Sequence, residues 1–343
     1  MKVTVLANLE NGKSEPDAVV PQITRALLAR GDKTNVVATF DDVEQLVRDL
    51  KAAKTDLVFN VFESFGHEVI GGQMGVTGIL DLLQIPYTGG GPGELYLQED
   101  KALAKKLLAY ERIQYPDFAI FAPNADFETG GKLRMPLFVK PLRMDASIGI
   151  DEKSLVRNMQ QLMDRVIKIH KELGDAALVE EFIEGREFYV GVLGNHDLLV
   201  FPPIEMDFSG MPKGSLKVMD AKAKFDETSA RYHGTRPVVA DLEPELTARL
   251  QRVALDAYRA LRVRDYGRID LRLTESGEIY VIEVNASCYL EQEGEFVMAA
   301  EAHGMTCNEL IGRIADLAIE RWKRRSVARR QKRKRPAARA TAV

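Results

Sequence analysis

Apolar residues along the first hundred positions come in short blocks whose period alternates. VTVLA at 3–7, NVVAT at 35–39 and DLVFNVF at 56–62 are apolar runs of strand length, rich in β-branched residues. Between them apolar positions recur at helical spacing over 17–30, ended by Gly31, and over 42–54. A third helical stretch, 70–83, leads into Pro86-Tyr87-Thr88 and the glycines 89–91. This β-α-β-α-β order predicts an α/β, doubly wound N-terminal domain whose ligands sit beyond the carboxyl ends of its strands. The loops after residues 7 and 62 should therefore face a ligand. The first loop, NLENGKSE, holds no G-x-G-x-x-G, and no Walker A run occurs anywhere, which argues against dinucleotide and P-loop sites.

Further on the pattern shortens. A helix over 99–110, strands over 117–121 and 136–140, a helix over 153–173 and a strand over 176–183 are predicted, and the turn Glu184-Gly185-Arg186 should fold that strand back onto 187–194 as a hairpin. Residues 200–237 read as loop-rich, 244–262 as a long helix, and 306 to about 324 as the last helix. A chain of 343 residues exceeds one core, and 45% hydrophobic with 29% charged residues is an ordinary globular composition. No apolar run approaches the roughly 18 residues of a membrane span, and Met1-Lys2 leads straight into a strand, so a cytoplasmic location without membrane contact is expected. Cys288 and Cys307 are too few for a disulfide framework and lack C-x-x-C spacing, which predicts reduced thiols. The net charge of −4 hides an asymmetry: residues 323–343 carry ten Lys or Arg and no acid, which leaves −14 on residues 1–322. This basic tail is expected to fray from a helix end into disorder, and to be solvated rather than to contact nucleic acid.

The segment YGRIDLRLTESGEIYVIEVN, 266–285, carries the most chemistry. Both flanks of Ser276-Gly277 alternate polar and apolar residues, as in a β-hairpin. With a turn symmetric about those two residues, Asp270 faces Glu283 and Arg268 faces Asn285. On the other side Ile269 pairs with Val284, Leu271 with Ile282 and Leu273 with Tyr280, an apolar face for covering helices. Two acids opposite each other repel by up to about 1 kcal/mol even when exposed. A hard divalent cation offsets that cost, because two carboxylates and the carboxamide oxygen of Asn285 are oxygen ligands suited to Mg2+, which keeps its other positions for water and phosphates. The competing reading is a solvated hairpin whose acids Arg268 neutralises.

Other candidates are scattered. Lys140 ends the apolar strand PLFV, and Glu180-Glu181-Phe182-Ile183 and Glu187 sit where the chain passes between domains, with backbone groups able to read an adenine edge and a carboxylate able to take ribose hydroxyls. Lys222 lies in DAKAKFDET. Each alone also reads as a strand end, a linker or a surface charge. As an ordered set, KSE at 13–15, LLQIPYTGG at 82–90, EDKALAKKLL at 99–108, LFVKP at 137–141, SIGI at 147–150, VEEFIEGREF at 179–188, AKAKFDET at 221–228, and GRID with EVN resemble the ATP-grasp fold. Within it they resemble the D-alanine–D-alanine ligase family over nearly all of residues 1–322. The resemblance implies a doubly wound domain over 1–95, a central ATP-grasp lobe over 96–185 and a C-terminal ATP-grasp lobe with the metal site over 186–322, before the basic tail, 323–343. It implies that Lys101 and Lys140 hold ATP phosphates, that Glu180 and the backbone of Glu181, Phe182 and Ile183 bind adenine, and that Glu187 takes the ribose. Ser147 and Lys222 would contact the terminal phosphate. Asp270, Glu283 and Asn285 would ligate two Mg2+, with Mn2+ able to substitute, while Arg268 faces the reacting carbonyl and Glu15 helps hold the first substrate. The implied reaction is ADP-forming: a carboxylate takes the γ-phosphoryl group, and an amine displaces phosphate from the acyl phosphate to give an amide. Implied partners are amino acids or amines, and a second copy dimerised through the first domain.

The substrate half departs from that pattern. Glu15 is retained, but the Ser and Tyr linked to it in the family stand as Ala146 and Ala223. After Asn285 the chain reads ASCYLEQEGEF, so Cys288-Tyr289 replace Pro-Gly, and Gly294 or Glu295 falls near the Ser that takes the second substrate's carboxylate. Glu291, Glu293 and Glu295 place acid where that carboxylate should dock. Glu63 replaces a small residue or His and either meets a substrate amine or is a solvated loop acid. Ligase chemistry is the reading that follows, with the acceptor open between D-alanine itself and a cationic or amine-rich molecule, which suits the acidic rim better. The alternatives are a non-catalytic ATP-binding ATP-grasp module and a protein that works on nucleic acid through its tail. Arg268 favours the ligase, since ATP binding alone needs no residue aimed at an acyl centre.

Overall fold

The computed structural model of the chain describes residues 1–11, 13–67, 71–124, 127–144 and 147–334. In the first domain β1 (Lys2–Asn8), α1 (Val19–Ala29), β2 (Lys33–Thr39), α2 (Val43–Ala53), β3 (Leu57–Asn60) and α3 (Gly72–Leu83) form a parallel sheet of order β2-β1-β3 with helices on both faces. Strand alternation decides which helix goes where. Val3, Val5 and Ala7 point to α1, and Leu6 points to Leu46, Leu50, Val76 and Leu80 of α2 and α3. Residue 70, the expected start of the third helix, lies outside the described residues. Two helices then replace the single one expected over 99–110: α4 (Pro92–Glu99) and α5 (Lys101–Tyr110). Asp100 separates them because its carboxylate accepts from the Leu103 backbone N–H and caps α5.

The central lobe holds β4 (Phe118–Phe121), β5 (Phe127–Gly130), β6 (Leu137–Pro141), β7 (Leu155–Val156), α6 (Met159–Leu173) and β8 (Ala177–Glu181), an antiparallel sheet of order β5-β4-β8-β6-β7. Helix α6 starts six residues later than expected, because the Asn158 side chain caps it at Gln161. One sheet face, with Leu137, Val139 and Val179, buries against α6; the other carries Phe138, Lys140 and Glu180.

The expected hairpin between 176–183 and 187–194 does not form. Strand β9 (Arg186–Leu193) belongs to a second sheet with β10 (Leu199–Val200), β11 (Ile204–Asp207), β12 (Arg236–Val239), β13 (Tyr266–Leu273) and β14 (Ile279–Ala286), ordered β12-β11-β9-β13-β14. Gly185, at φ 157°, makes the change of sheet with its α-carbon close to the Leu273 carbonyl, where a Cβ would sit 2.0 Å from that oxygen. The loop-rich stretch 200–237 also contains α7 (Ala221–Phe225) and α8 (Ala230–His233), and α9 (Pro244–Ala260) covers Val190, Val192, Ile269 and Leu271. Helices α10 (Glu295–Ala302) and α11 (Cys307–Lys334) complete the chain. Helix α11 carries the basic run, expected to fray from a helix end, as far as Lys334, since Lys, Arg, Ala and Gln are good helix formers; residues 335–343 lie outside the described residues. Among the described residues no helix is long and apolar enough to cross a membrane.

Candidate active site

The β13–β14 hairpin brings its polar residues to one face. Arg268 pairs with Asn285, Ile269 with Val284 and Asp270 with Glu283, as the symmetric register predicts. Beyond Asp270 the register slips: Leu271 pairs with Val281 and Leu273 with Ile279, not with Ile282 and Tyr280. The turn explains the slip. It closes by Thr274 N–H to the Glu278 carbonyl, an odd five-residue loop, and a β-bulge at Ile282 restores the register before the acids. Ile282 is thereby turned into the cleft. Strand β9 extends the same face, with Glu187 beside Arg272 and Tyr189 beside Asp270.

These residues, the polar face of the central lobe, the β8–β9 crossover and Lys101 line one cleft between the two sheets. Arg268 forks onto Asp270, Nε to Oδ1 at 2.8 Å and Nη2 to Oδ2 at 3.0 Å, while Nη1 meets Glu295 at 3.0 Å. Its guanidinium lies 4.7 Å from the Tyr189 ring centroid. Burial pushes the Asp270 carboxyl up to about 6, more than the Arg268 charge offsets. For Glu283 burial acts in the same direction, but the Lys101 and Lys140 ammoniums outweigh it and hold the carboxyl down at about 2. Lys101 Nζ sits 3.2 Å from Glu283 and donates to the Met144 carbonyl. Asn285 Nδ2 donates to Asp270 at 3.1 Å, which leaves the amide oxygen to ligate.

A second buried cluster aims the lysines. Glu180 holds Lys105 at 2.7 Å on one oxygen and Lys140 at 2.9 Å on the other. Burial lowers the Lys105 pKa, and on Glu180 the two ammonium charges outweigh burial and lower the carboxyl. Glu180, expected at adenine, thus spends both oxygens on lysines. Glu187 accepts from Arg272 and from the Tyr189 hydroxyl. Arg272 also ties the Gly185 and Lys217 carbonyls together and lies over Phe182, which with Phe138 forms an aromatic slot. Lys105, Tyr189 and Arg272 were missed in the sequence. Arg272 carries a signal, since it continues the alternation of Arg268 and Asp270.

Some expected residues lie elsewhere. Ser147, at φ 59°, lines the cleft and donates to the Met219 carbonyl. Lys222 does not line it; it is exposed on α7, and Lys224 of the same helix lines the cleft instead. One turn of helix presents only part of its circumference, and Lys224 is on the inner part. Glu15 is exposed in the loop after β1 and lines no cleft wall, while Ala223 is buried on α7 and Ala146 is outside the described residues. Glu63 lines a separate small pocket with Tyr266, Ser287, Cys288 and Tyr289, and Glu295 is the first residue of α10 and a partner of Arg268 rather than a free rim acid.

The donor set fits a divalent cation. Asp270 stays short of positive charge even with Arg268 on it, a deficit that a cation beside Glu283 and the Asn285 oxygen removes. Among the described residues no group of three or more His, Cys, Asp or Glu is placed to hold a metal ion, so an ion held by Asp270, Glu283 and Asn285 would take its other oxygens from water and substrate. Buried ammoniums and an aromatic slot equally suit a nucleotide, while on the crossover the Glu181 and Phe182 N–H groups are already given to the Asp117 and Pro136 carbonyls.

Two antiparallel sheets closing on such a cleft, behind an open α/β domain, define the class: an ATP-grasp ligase. The fold is that of the D-alanine–D-alanine ligase from Bacillus anthracis in its crystal structure with ATP, with a TM-score of 0.72 over 95% of this chain and 99% of that one at 21% identity. Residues 107–316 match the family model described as D-ala D-ala ligase C-terminus. The D-alanine–D-alanine ligase of Carboxydothermus hydrogenoformans is 31% identical over 312 residues, 87% of this chain and 91% of that protein. The uncharacterized protein y4sG of Sinorhizobium fredii is 32% identical over 296 residues, 86% of this chain and 83% of its own length. The chain belongs to the D-alanine–D-alanine ligase family.

Proposed function

We infer that the protein joins a carboxylate to an amine at the expense of ATP, through an acyl phosphate, and that its acceptor is an amine-rich molecule rather than D-alanine. The observation that carries the ligase reading is a largely covered guanidinium, Arg268, fixed among the acids of an ATP-grasp cleft by Asp270 and Glu295. Lys101 and Lys140 neutralise phosphate oxygens, the Glu181 to Ile183 backbone and the Phe138/Phe182 slot take the adenine, and Glu187 takes the ribose. Lys224 and Ser147 approach the terminal phosphate from the loops. Asp270, Glu283 and Asn285 would hold Mg2+, two ions in this reading, with Mn2+ as a substitute, and the bound cation would supply positive charge to the transferred phosphoryl group. The substrate carboxylate attacks the γ-phosphorus and ADP leaves. The amine then attacks the acyl carbon, and guanidinium N–H groups of Arg268 not engaged by the acids steady the oxyanion until phosphate departs. Docking of Ser147 on Met219, and of Arg231 on the Leu216 carbonyl and Glu152, keeps water from the acyl phosphate.

The acceptor reading rests on Glu63 and Tyr289 in the small pocket beside the hairpin, with exposed Glu291 and Glu293 nearby in sequence and no Lys, Arg or His in its described lining. A homodimer through the first domain accompanies the family reading. Phosphate release with Mg-ATP across D-alanine, L-amino acids and diamines tests both claims. Turnover should depend on an amine, favour diamines or basic amino acids, and fall about 100- to 1000-fold in Arg268→Ala with nucleotide binding kept. Equal turnover in Asp270→Ala contradicts the metal role, and fast D-alanine dimer formation contradicts the acceptor. ATP binding without turnover under any pair of substrates leaves the non-catalytic module.

A further inference from the structure

A second, wide groove shares no lining residue with the nucleotide cleft. It measures about 1250 Å3 and runs between the end of α5, the exposed face of α9 and the turn of the β13–β14 hairpin. Five arginines line it: Arg112, Arg249, Arg252, Arg259 and Arg262. Arg249 donates to the Gly277 carbonyl; the side chains of the other four make no hydrogen bond or ion pair among the described residues. Arg249, Arg252 and Arg259 fall three and seven positions apart, so α9 presents them along one side. The apolar residues between them, Leu107, Ile113 and Val253, are only partly buried, and Tyr110 is 82% exposed. A run of unpaired arginines stands out on a body that carries −14 over residues 1–322.

The groove is too large for a small anion, since small-molecule sites span about 300–1000 Å3. A phosphate backbone fits it poorly: Glu111, Asp256 and Glu278 lie among the arginines, and nucleic acid has no use for an apolar floor. Arginine and tyrosine around aliphatic side chains is instead the composition of protein-binding hot spots. We propose that this groove docks an acidic segment of a partner protein, with carboxylates on the arginines and an apolar side chain against Leu107, Tyr110 and Val253. Bidentate guanidinium–carboxylate pairs supply the charge recognition, and the three acids of the groove set where along it a carboxylate is tolerated.

The test uses the full chain and a short fluorescein-labelled peptide of glutamates with two leucines, followed by anisotropy, with single-stranded DNA of equal length as competitor. Binding should weaken with salt and fall about tenfold or more in Arg249→Glu/Arg252→Glu/Arg259→Glu, while phosphate release is unchanged. Tyr110→Ala should weaken binding several-fold without altering its salt dependence, and Arg259→Glu alone gives the charge result if the triple variant loses phosphate release. The basic tail is intact in every variant. Wild-type affinity in the charge-reversed chain therefore assigns the peptide to the tail and overturns the proposal, as does absence of binding or displacement of the peptide by DNA.

Discussion

Asp270 pairs with Arg268, yet its carboxyl remains raised to about 6 from 3.8 by burial. A carboxyl raised in the folded state adds stability while protonated, fully below about pH 4, and loses that contribution as pH rises through about 6. A cation reverses the balance by favouring the carboxylate. The apparent Mg2+ affinity should accordingly drop about tenfold between pH 7 and pH 5 by calorimetry, because the metal must displace a proton. A flat profile over that range would show that Asp270 is not a ligand. Glu283, held at about 2, contributes nothing to this window. The Lys105–Glu180–Lys140 cluster gives a second expectation. Lys105→Met leaves one buried pair intact and should cost about 1–2 kcal/mol, whereas Glu180→Ala strands two buried ammoniums and should cost about 3–5 kcal/mol in urea unfolding. Equal costs would mean that Glu180 does not bridge the two lysines. Nothing local distinguishes Lys105 from its neighbours in KALAKKLLAY; which lysine is buried depends on where β8 delivers Glu180.

In the β13–β14 hairpin Ile282 is an extra residue: it bulges between Val281 and Glu283, and were the ladder to run on regularly through it, Ile282 would face Asp270 while Glu283 and Asn285 turned to the α9 side. Deleting Ile282 leaves Glu283 opposite Asp270 and should retain Mg2+ binding, whereas deleting Val281 together with Ile282 shifts the alternation by one, turns Glu283 and Asn285 to the α9 side and should abolish both Mg2+ binding and ATP-dependent phosphate release; activity in the double deletion would disprove this account. Alternation of polar and apolar residues was enough to put Arg268, Asp270, Glu283 and Asn285 on one face. It could not show the bulge, because IYVI is apolar in every register. The β8–β9 connection misled for a similar reason: a glycine turn between two strand patterns looks alike whether the strands pair or part, and β9 parts because β11 and β13 flank it. Helix α4 did carry a signal that went unread, Gly91-Pro92 followed by Glu94, whose side chain accepts from the Gly91 N–H. Lys222 and Lys224 are two residues apart on a single turn, and only the docking of α7 decides which one faces the cleft.

The first domain and the C-terminal lobe are joined by a fully buried acid. Asp265 accepts from Gly89 N–H, Asn195 Nδ2 and both Nε and Nη2 of Arg321, and Arg321 also donates to the Tyr87 carbonyl. Arg321→Ala leaves that charge short of its cation and should cost about 3–5 kcal/mol. Truncation after Ser326 keeps Arg321 and the Arg325–Asp81 pair, so melting temperature should move by no more than about 2 °C with phosphate release unchanged. A large loss on truncation would make the basic end of α11 part of the fold. The two sheets of the cleft place lysines from one side against carboxylates and a guanidinium from the other, and the acyl-phosphate route is the chemical claim resting on that meeting. Its most direct measurement is the mass of the inorganic phosphate formed when the carboxylate substrate that sustains turnover carries 18O in both oxygens. The proposed route moves one labelled oxygen into each phosphate released; unlabelled phosphate, or release of AMP and pyrophosphate, would contradict it.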